Sequence, residues 1–452
     1  MHEVEDALAI PTETRFVEAA AYPAKEINGS RVSAYSWYVV GLLAVVNAIN
    51  YMDRSALSVL SPLIKADLKI SDGQLGLLTG LAFFLFYAFC GIPIARWSDR
   101  GVRRNIIALS MVMWSVITAL SGMVQNVGQL FLSRVGVGIG EAGSLPAGSS
   151  IISDYIPPPR RASAYAIQTL GLLSGTMLGL GVAGAIGESF GWRAAFVVLG
   201  IPGVLVAIVV RLSLREPLRG RLDSGQVNIG DVSNCVPSLV ETIRILWFRR
   251  TYRFITLFAV VNGFVQCGLS QWWPSFYVRS YGFSVSVVGS ELGIAIGAGS
   301  ALGLLLGGLI GDKLTPRNAR LPLLVGAISV LFSLPILAVS LFAHSASTSL
   351  TFVGLAWVFW CIPYGATSAA SVGAVDPRMR ATGGALSAFA TSVLGLGFGP
   401  SCVGVLSNFL TGAFGGEALR YALLLPISVI PVMSIMLFKA AKSLSTEQAP
   451  RD

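Results

Sequence analysis

Long apolar stretches almost free of charge constrain this sequence more than any other feature. Twelve segments have about the length that a helix needs to cross a bilayer, ~20 residues. They run roughly over 36–62, 74–95, 105–124, 129–152, 162–187, 194–211, 254–278, 285–311, 321–343, 350–374, 382–408 and 420–438. Only 12% of the chain is charged and 54% is apolar or aromatic, against about 25% charged in a soluble domain. That balance excludes a cytosolic enzyme, a disordered protein and a nucleic-acid module. The expected fold class is an all-α integral membrane protein with twelve transmembrane helices in two six-helix bundles.

The polar segments give the domain plan. Residues 1–35 carry six acids and three bases, which is no signal peptide, and read as a cytoplasmic disordered tail. A bundle over 36–211, a cytoplasmic linker over 212–253, a bundle over 254–438 and a cytoplasmic tail over 439–452 follow. With the N-terminus inside, 25 of the 32 basic residues fall in inner segments and five in outer ones. Arg54 and Arg134 lie inside spans. By the positive-inside rule both termini are cytoplasmic, and a bacterial inner membrane is the expected location. The net charge of +9 therefore reports topology, and no nucleic-acid partner is expected.

The halves repeat. Ala44-Val45-Val46-Asn47 recurs as Ala259-Val260-Val261-Asn262, and Trp97-Ser98-Asp99-Arg100 as Ile310-Gly311-Asp312-Lys313. Arg161-Ala162-Ser163 recurs as Arg380-Ala381-Thr382, and Pro146 matches Pro363. Four matches in order at nearly one offset imply a duplicated six-helix unit. Parallel repeats of this kind place a binding site between the halves near mid-membrane.

The run Gly91-Ile-Pro-Ile-Ala95-Arg-Trp-Ser-Asp99-Arg100-Gly101-Val-Arg103-Arg104 resembles the loop signature of the major facilitator superfamily, as does Gly308-Leu-Ile-Gly311-Asp312-Lys313. Asn50-Tyr51-Met52-Asp53-Arg54, together with Arg134-Val-Gly-Val-Gly-Ile-Gly-Glu141, resembles the bacterial Spinster-type lipid transporters. The first of these stretches is also similar to organic-anion:proton symporters. The Spinster resemblance implies alternating access and an amphiphilic substrate such as a lysolipid or a sphingoid phosphate.

Four charges sit where a membrane tolerates them least. A charged side chain near mid-bilayer costs ~3 kcal/mol or more and usually has a partner and a task. Asp53 lies just past the middle of span 1, Arg54 beside it, and Arg134 and Glu141 share one face of span 4, seven residues apart. At the repeat offsets their twins are Gly268, Leu269, Thr351 and Val358, so the duplicated fold does not itself demand the charges. The sequence predicts that Asp53 pairs with Arg134 across the two helices, with Arg54 or a substrate anion completing the set. Asp53 and Glu141 are the candidate proton sites. Arg134 and Arg54 are the candidate head-group residues, because guanidinium matches carboxylate or phosphate bidentately. Desolvation disfavours a carboxylate's charge while a nearby arginine favours it. A substrate that displaces the arginine would thus link proton and substrate movement. A buried ion cluster that only fixes helix register is the competing explanation.

Asn47, Asn50, Tyr51, Gln266, Trp272, Trp273, Tyr277, Trp360 and Tyr364 are candidates for the cavity wall, with aromatic packing or interfacial belts as the alternative. Asp99, Arg100, Arg103 and Arg104, with Asp312 and Lys313, form a candidate gating loop. An aspartate at a helix C-terminus opposes the helix dipole and needs a positive partner. Ser238-Leu-Val-Glu241 reads as a capping box opening an amphipathic helix on the inner membrane face, with Leu239, Val240, Ile243, Leu246 and Trp247 on one stripe. Gly136, Gly138 and Gly140 lie inside a span and read as close-packing residues rather than a dinucleotide loop. Glu291 reads as interfacial and His344 as a loop histidine. No cofactor or metal spacing is present; the expected partners are the lipid bilayer, an amphiphilic small molecule and protons, on a monomer. Three functions stay open: a proton-coupled carrier of an amphiphilic anionic lipid, the same scaffold carrying a small organic anion, and a non-transporting membrane receptor or enzyme. A lipid carrier should have a tall apolar cavity open sideways. A small-anion carrier should have a closed polar pocket with basic residues from both halves.

Overall fold

A computed structural model describes residues 32–219, 239–375 and 379–448, and every regular element among them is helical. Most of the expected N-terminal tail, the middle of the linker with Ser238, and the last four residues lie outside the described residues. The first half comprises α1 (Ala34–Leu68), α2 (Asp72–Thr79), α3 (Leu81–Arg100), α4 (Arg103–Ser121), α5 (Val127–Glu141), α6 (Ser144–Tyr155), α7 (Arg161–Phe190) and α8 (Trp192–Ser213). After the short α9 (Leu239–Phe248) come α10 (Arg250–Tyr281), α11 (Val285–Leu314), α12 (Leu321–Phe342), α13 (Ala346–Cys361), α14 (Tyr364–Gly373) and α15 (Arg380–Ala390). A π-helical segment, Thr391–Gly397, leads into α16 (Phe398–Phe414), and α17 (Ala418–Ala422), α18 (Leu424–Ser428) and α19 (Ile430–Gln448) finish the chain.

Ten helical units are long and apolar enough to cross a membrane. The 35-residue α1, which carries the span 1 charges, and the interrupted pair α5–α6 supply two more crossings, in keeping with twelve. Hydroxyl and amide caps start several of them. Ser71 and Gln74 form a reciprocal capping box at α2, and the Asn126, Ser284 and Ser345 side chains accept amide hydrogens at α5, α11 and α13. Gly191 (φ +85°) and Gly282 (φ +67°) supply the left-handed backbone that ends α7 and α10.

Two of the spans are interrupted, at twin places. Span 4 breaks between Glu141 and Ser144, and span 10 between Cys361 and Tyr364. Pro146 and Pro363 lie beside the breaks, where a missing N–H and ring crowding loosen the helix. Elsewhere the helices pack through glycine. A Cβ on Gly171, Gly175 or Gly179 of α7 would run into the backbone of Ala44, Ala48 or Met52 of α1. A Cβ on Gly138 would come within 2.7 Å of the Phe83 carbonyl, and one on Gly140 within 2.9 Å of the Trp114 amide, so the Gly-x-Gly run serves close packing. Large apolar side chains such as Leu132, Phe190 and Phe409 lie exposed around the outside, as expected of a surface solvated by lipid.

The amphipathic helix α9 folds as expected but is rolled. Leu246 is buried with Tyr252, Val375 and Met379, whereas Ile243 and Trp247 of the same stripe are exposed. Leu246 thus docks on the ends of the second bundle, and Ile243 and Trp247 face outward.

Candidate functional site

The four membrane-depth charges converge where α1 meets α5. Asp53, Arg134 and Glu141 are almost wholly buried, and the Arg54 side chain keeps 17% of its surface open. Arg54 and Glu141 form the direct pair: Nε and Nη2 of Arg54 each lie 2.7 Å from Glu141 Oε2. The expected Asp53–Arg134 pair is not formed. Asp53 and Arg54 diverge on the helix, and it is Arg54 that reaches Glu141 at the end of α5. Asp53 Oδ2 instead accepts a long hydrogen bond, 3.3 Å, from the Thr118 hydroxyl of α4, and stays within electrostatic reach of Arg134 and Glu141. Three buried polar atoms of this cluster lack a partner: Asp53 Oδ1, Glu141 Oε1 and Arg134 Nε. Such orphans are rare and call for an explanation.

Arg54 is boxed by aromatic rings. Its guanidinium carbon lies 5.2 Å from the Tyr51 ring centre, 4.8 Å from Phe83, 5.8 Å from Phe84 and 5.1 Å from Tyr87. Cation–π attraction of this kind holds a guanidinium with little hydration.

Arg54 reaches a cavity of about 380 Å³ between the halves. Tyr51, Ser55, Ser58, Phe84 and Thr169 line the first-half wall; Asn262, Gln266, Gln271, Ser300, Trp357 and Tyr364 line the other. A second cavity of about 410 Å³ shares Asn262, Tyr364 and Thr391 with it and runs along α10, α14 and α15. Among the described lining residues of both, Arg54 is the one charged group.

Tyr51, Gln266 and Tyr364 thus line the cavity, and several other candidates do not. Asn47 turns away and donates to the Gln168 carbonyl at 2.9 Å, while Asn50 is buried beside Glu141. Trp272, Trp273 and Tyr277 are packed inside the second bundle. Trp272 Nε1 donates to the Pro400 carbonyl, and the Tyr277 hydroxyl bonds Ser349 at 2.8 Å. Trp360 is buried behind Trp357, on which it stacks. The aromatic count of span 7 pointed to the wall; helical rotation sends those rings into the bundle instead. Asn262 and Gln271 were not singled out as wall residues in the sequence. Asn262 was legible as the twin of Asn47.

The halves are sealed on the side opposite the basic loops. The Asp72 carboxylate, at the start of α2, accepts from Lys65 (2.5 Å) in its own half. From the second half it accepts two bonds of 2.7 Å from Arg279 and one of 2.7 Å from Ser407. Its amide donates to Asn408 Oδ1 at 3.0 Å. Gly76 and Gly80 press on the carbonyls of Pro400 and Gly397, and Gly289 on that of Leu180. Sequence inspection missed this seal, since Asp72 and Arg279 read as ordinary loop charges.

The basic side is different. Arg103 is buried and donates to Asp154 at 2.5 Å, Glu216 at 2.7 Å and Ser150 at 2.7 Å, all in the first half. The Arg104 amide donates to Glu216 at 2.9 Å. These residues staple α4, α6 and the end of α8 together rather than joining the halves. Arg100, Asp312 and Lys313 are exposed, and the Asp99 side chain lies outside the described residues. A Phe89–Phe389 ring contact, 5.3 Å between centroids, bridges the halves toward this side.

Two bundles around a cavity, sealed at one end, define a membrane transporter. The sequence pattern of the Major Facilitator Superfamily matches residues 43–400, and the chain belongs to that family. It is 33% identical over 412 residues to an MFS-type efflux pump of Mycolicibacterium smegmatis, covering 90% of this chain and 93% of that one. It is 28% identical to a probable L-galactonate transporter of Escherichia coli, over 81% of this chain and 82% of that one. Among solved structures, a bacterial homologue of the human lysosomal transporter Spinster, in an inward-facing and unoccupied conformation, superposes with a TM-score of 0.81. The two are 29% identical over 94% of this chain and 100% of the other. The Spinster likeness read from spans 1 and 4 therefore extends to the fold.

Proposed function

We propose that the chain is a proton-coupled secondary transporter of an amphiphilic organic anion, working by alternating access. One observation carries the reading: Arg54 binds Glu141 with one edge and meets the cavity with the other. An anionic head group entering the cavity competes with Glu141 for the same guanidinium. The released carboxyl, surrounded by protein rather than water, then takes a proton. Asp53, with its unpartnered Oδ1, and Arg134 form the second stage of the relay. The cavity offers one cation and then a long wall of Leu172, Leu173, Ile296, Leu304 and Trp357. That sequence of surfaces suits one charged head followed by an apolar body. We further infer that the basic side faces the cytoplasm, both termini with it, that the sealed arrangement is open inward, and that the protein works as a monomer.

A second reading has its own support. Asn262, Gln266, Gln271 and Tyr364 give the second half a polar face, which suits the hydroxyls of a sugar acid, in line with the E. coli relative's name. The absence of a second cation among the described lining residues favours the amphiphile. The test is uptake into proteoliposomes, with and without a pH gradient, of lysophosphatidylglycerol and a sphingoid phosphate beside galactonate and sulfoacetate. Gradient-stimulated lipid movement is expected. Stimulation of the small acids alone selects the second reading, and indifference to the gradient for every substrate overturns the coupling.

A further inference from the structure

Away from the central cavity, α11 and α13 enclose a groove of about 630 Å³ on the outside of the second bundle. Its depth has a clear cause. The two helices touch where a Cβ on Gly299 would strike the Gly354 carbonyl and one on Gly354 would come within 3.2 Å of the Ala295 carbonyl, and small residues such as Ala295 and Ala298 leave space above. Ile294, Leu302 and Leu355, exposed on its walls, make it an apolar trough facing lipid. One lining residue breaks the pattern. Glu291 is exposed in the groove and has no cation within ion-pairing distance among the described residues. It stands six residues into α11, about 9 Å along the helix. The helix, at 30 residues, is about 45 Å long against a hydrocarbon core of ~30 Å. Glu291 therefore sits where the head groups meet the acyl chains. Unpaired carboxylates at that depth, facing lipid, are costly.

We propose that this groove is a binding site for an amine-headed phospholipid of the phosphatidylethanolamine class. The ammonium pairs with Glu291, Ser347 and Thr351 stand at the glycerol level, and an acyl chain lies along Ile294, Ala298 and Leu302. Charge complementarity picks the occupant: a net-anionic head group is repelled by the carboxylate, a choline ammonium has no N–H to donate to it, and an ethanolamine ammonium donates up to three hydrogen bonds. The opposite face of α11 carries Gly289, Gly293 and Gly297, packed on Leu180 and Met177 of α7 in the first half. A lipid in the groove thus braces the helix that forms the seam.

The test is native mass spectrometry of the full chain released from phosphatidylethanolamine/phosphatidylglycerol bilayers and from phosphatidylcholine/phosphatidylglycerol bilayers. Wild type is expected to retain phosphatidylethanolamine and not phosphatidylcholine. Glu291→Gln removes the charge, and Ala298→Phe fills the groove while keeping the acid; each should lower retention by about fivefold or more. Elution as folded protein on gel filtration shows that each variant is intact. Equal retention of the two lipids by wild type, or undiminished retention in either folded variant, overturns the proposal.

Discussion

The two halves share a fold and divide the chemistry. Both break a helix at the twin places after Glu141 and Cys361, and both pack span against span through glycine. At the positions of Asp53, Arg54, Arg134 and Glu141, however, the second half carries Gly268, Leu269, Thr351 and Val358. Leu269 is fully buried in apolar packing, where its twin Arg54 reaches the cavity. Asn47 and Asn262 differ likewise: the first is tied to Gln168, the second lines both cavities. A duplicated scaffold evidently needs the breaks and the glycines. It does not need the charges, which points to a task beyond folding.

The most severe way to break that contrast is to remove Arg54. Arg54→Ala leaves Glu141 buried without its partner, a loss of roughly 3–5 kcal/mol, and thermal unfolding and uptake should both fall sharply. Leu269→Met at the twin position, a volume-conserving change, should cost less than about 1.5 kcal/mol and leave uptake intact. A comparable loss at both positions would erase the distinction between the halves.

The seal comes next. Asp72→Asn weakens charge-assisted bonds to Arg279 and Lys65 worth ~2 kcal/mol, close to a thirtyfold shift toward separation of α2 from α16. Spin-label distances between those helix ends should lengthen or broaden; an unchanged distribution would mean that the glycine contacts hold the seam alone. A smaller effect tests the packing shared by both halves. Gly175→Ala would collide with Ala48 and should cost about 1–3 kcal/mol. Gly181→Ala, with open space at its Cβ, should be neutral or slightly stabilising in the same melt. The smallest effect is expected at Thr118→Val, which removes one long hydrogen bond to Asp53, about 1 kcal/mol. It should move the pH profile of transport slightly and leave its maximum rate alone.

The fold and the set of buried charges were legible because their signals are linear in sequence. Apolar length, basic bias and repeat offset each need only position along the chain. The pairing inside the charge cluster was not. Choosing Arg54–Glu141 over Asp53–Arg134 depends on how α1 rotates against α5, and on the helix break after Glu141. The same cause misplaced Trp272, Trp273 and Tyr277, whose direction depends on how α10 is rotated in its bundle. Asp72 and Arg279 went unnoticed because 207 residues separate them and only the tertiary fold joins them. The Arg103 network was half visible: the arginine stood in a family motif, but its partners Asp154 and Glu216 lay at the ends of other helices.

The central claim is that substrate and Glu141 compete for Arg54 and that the freed carboxyl takes a proton. Its most direct test is the pH of a weakly buffered solution of purified protein when a transported anion is added. Wild type should take up a proton on binding, seen as alkalinisation. Glu141→Gln should still bind the anion with no proton uptake, and Asp53→Asn should show a reduced signal. Binding without proton uptake in the wild type, or an unchanged uptake in Glu141→Gln, would contradict the account.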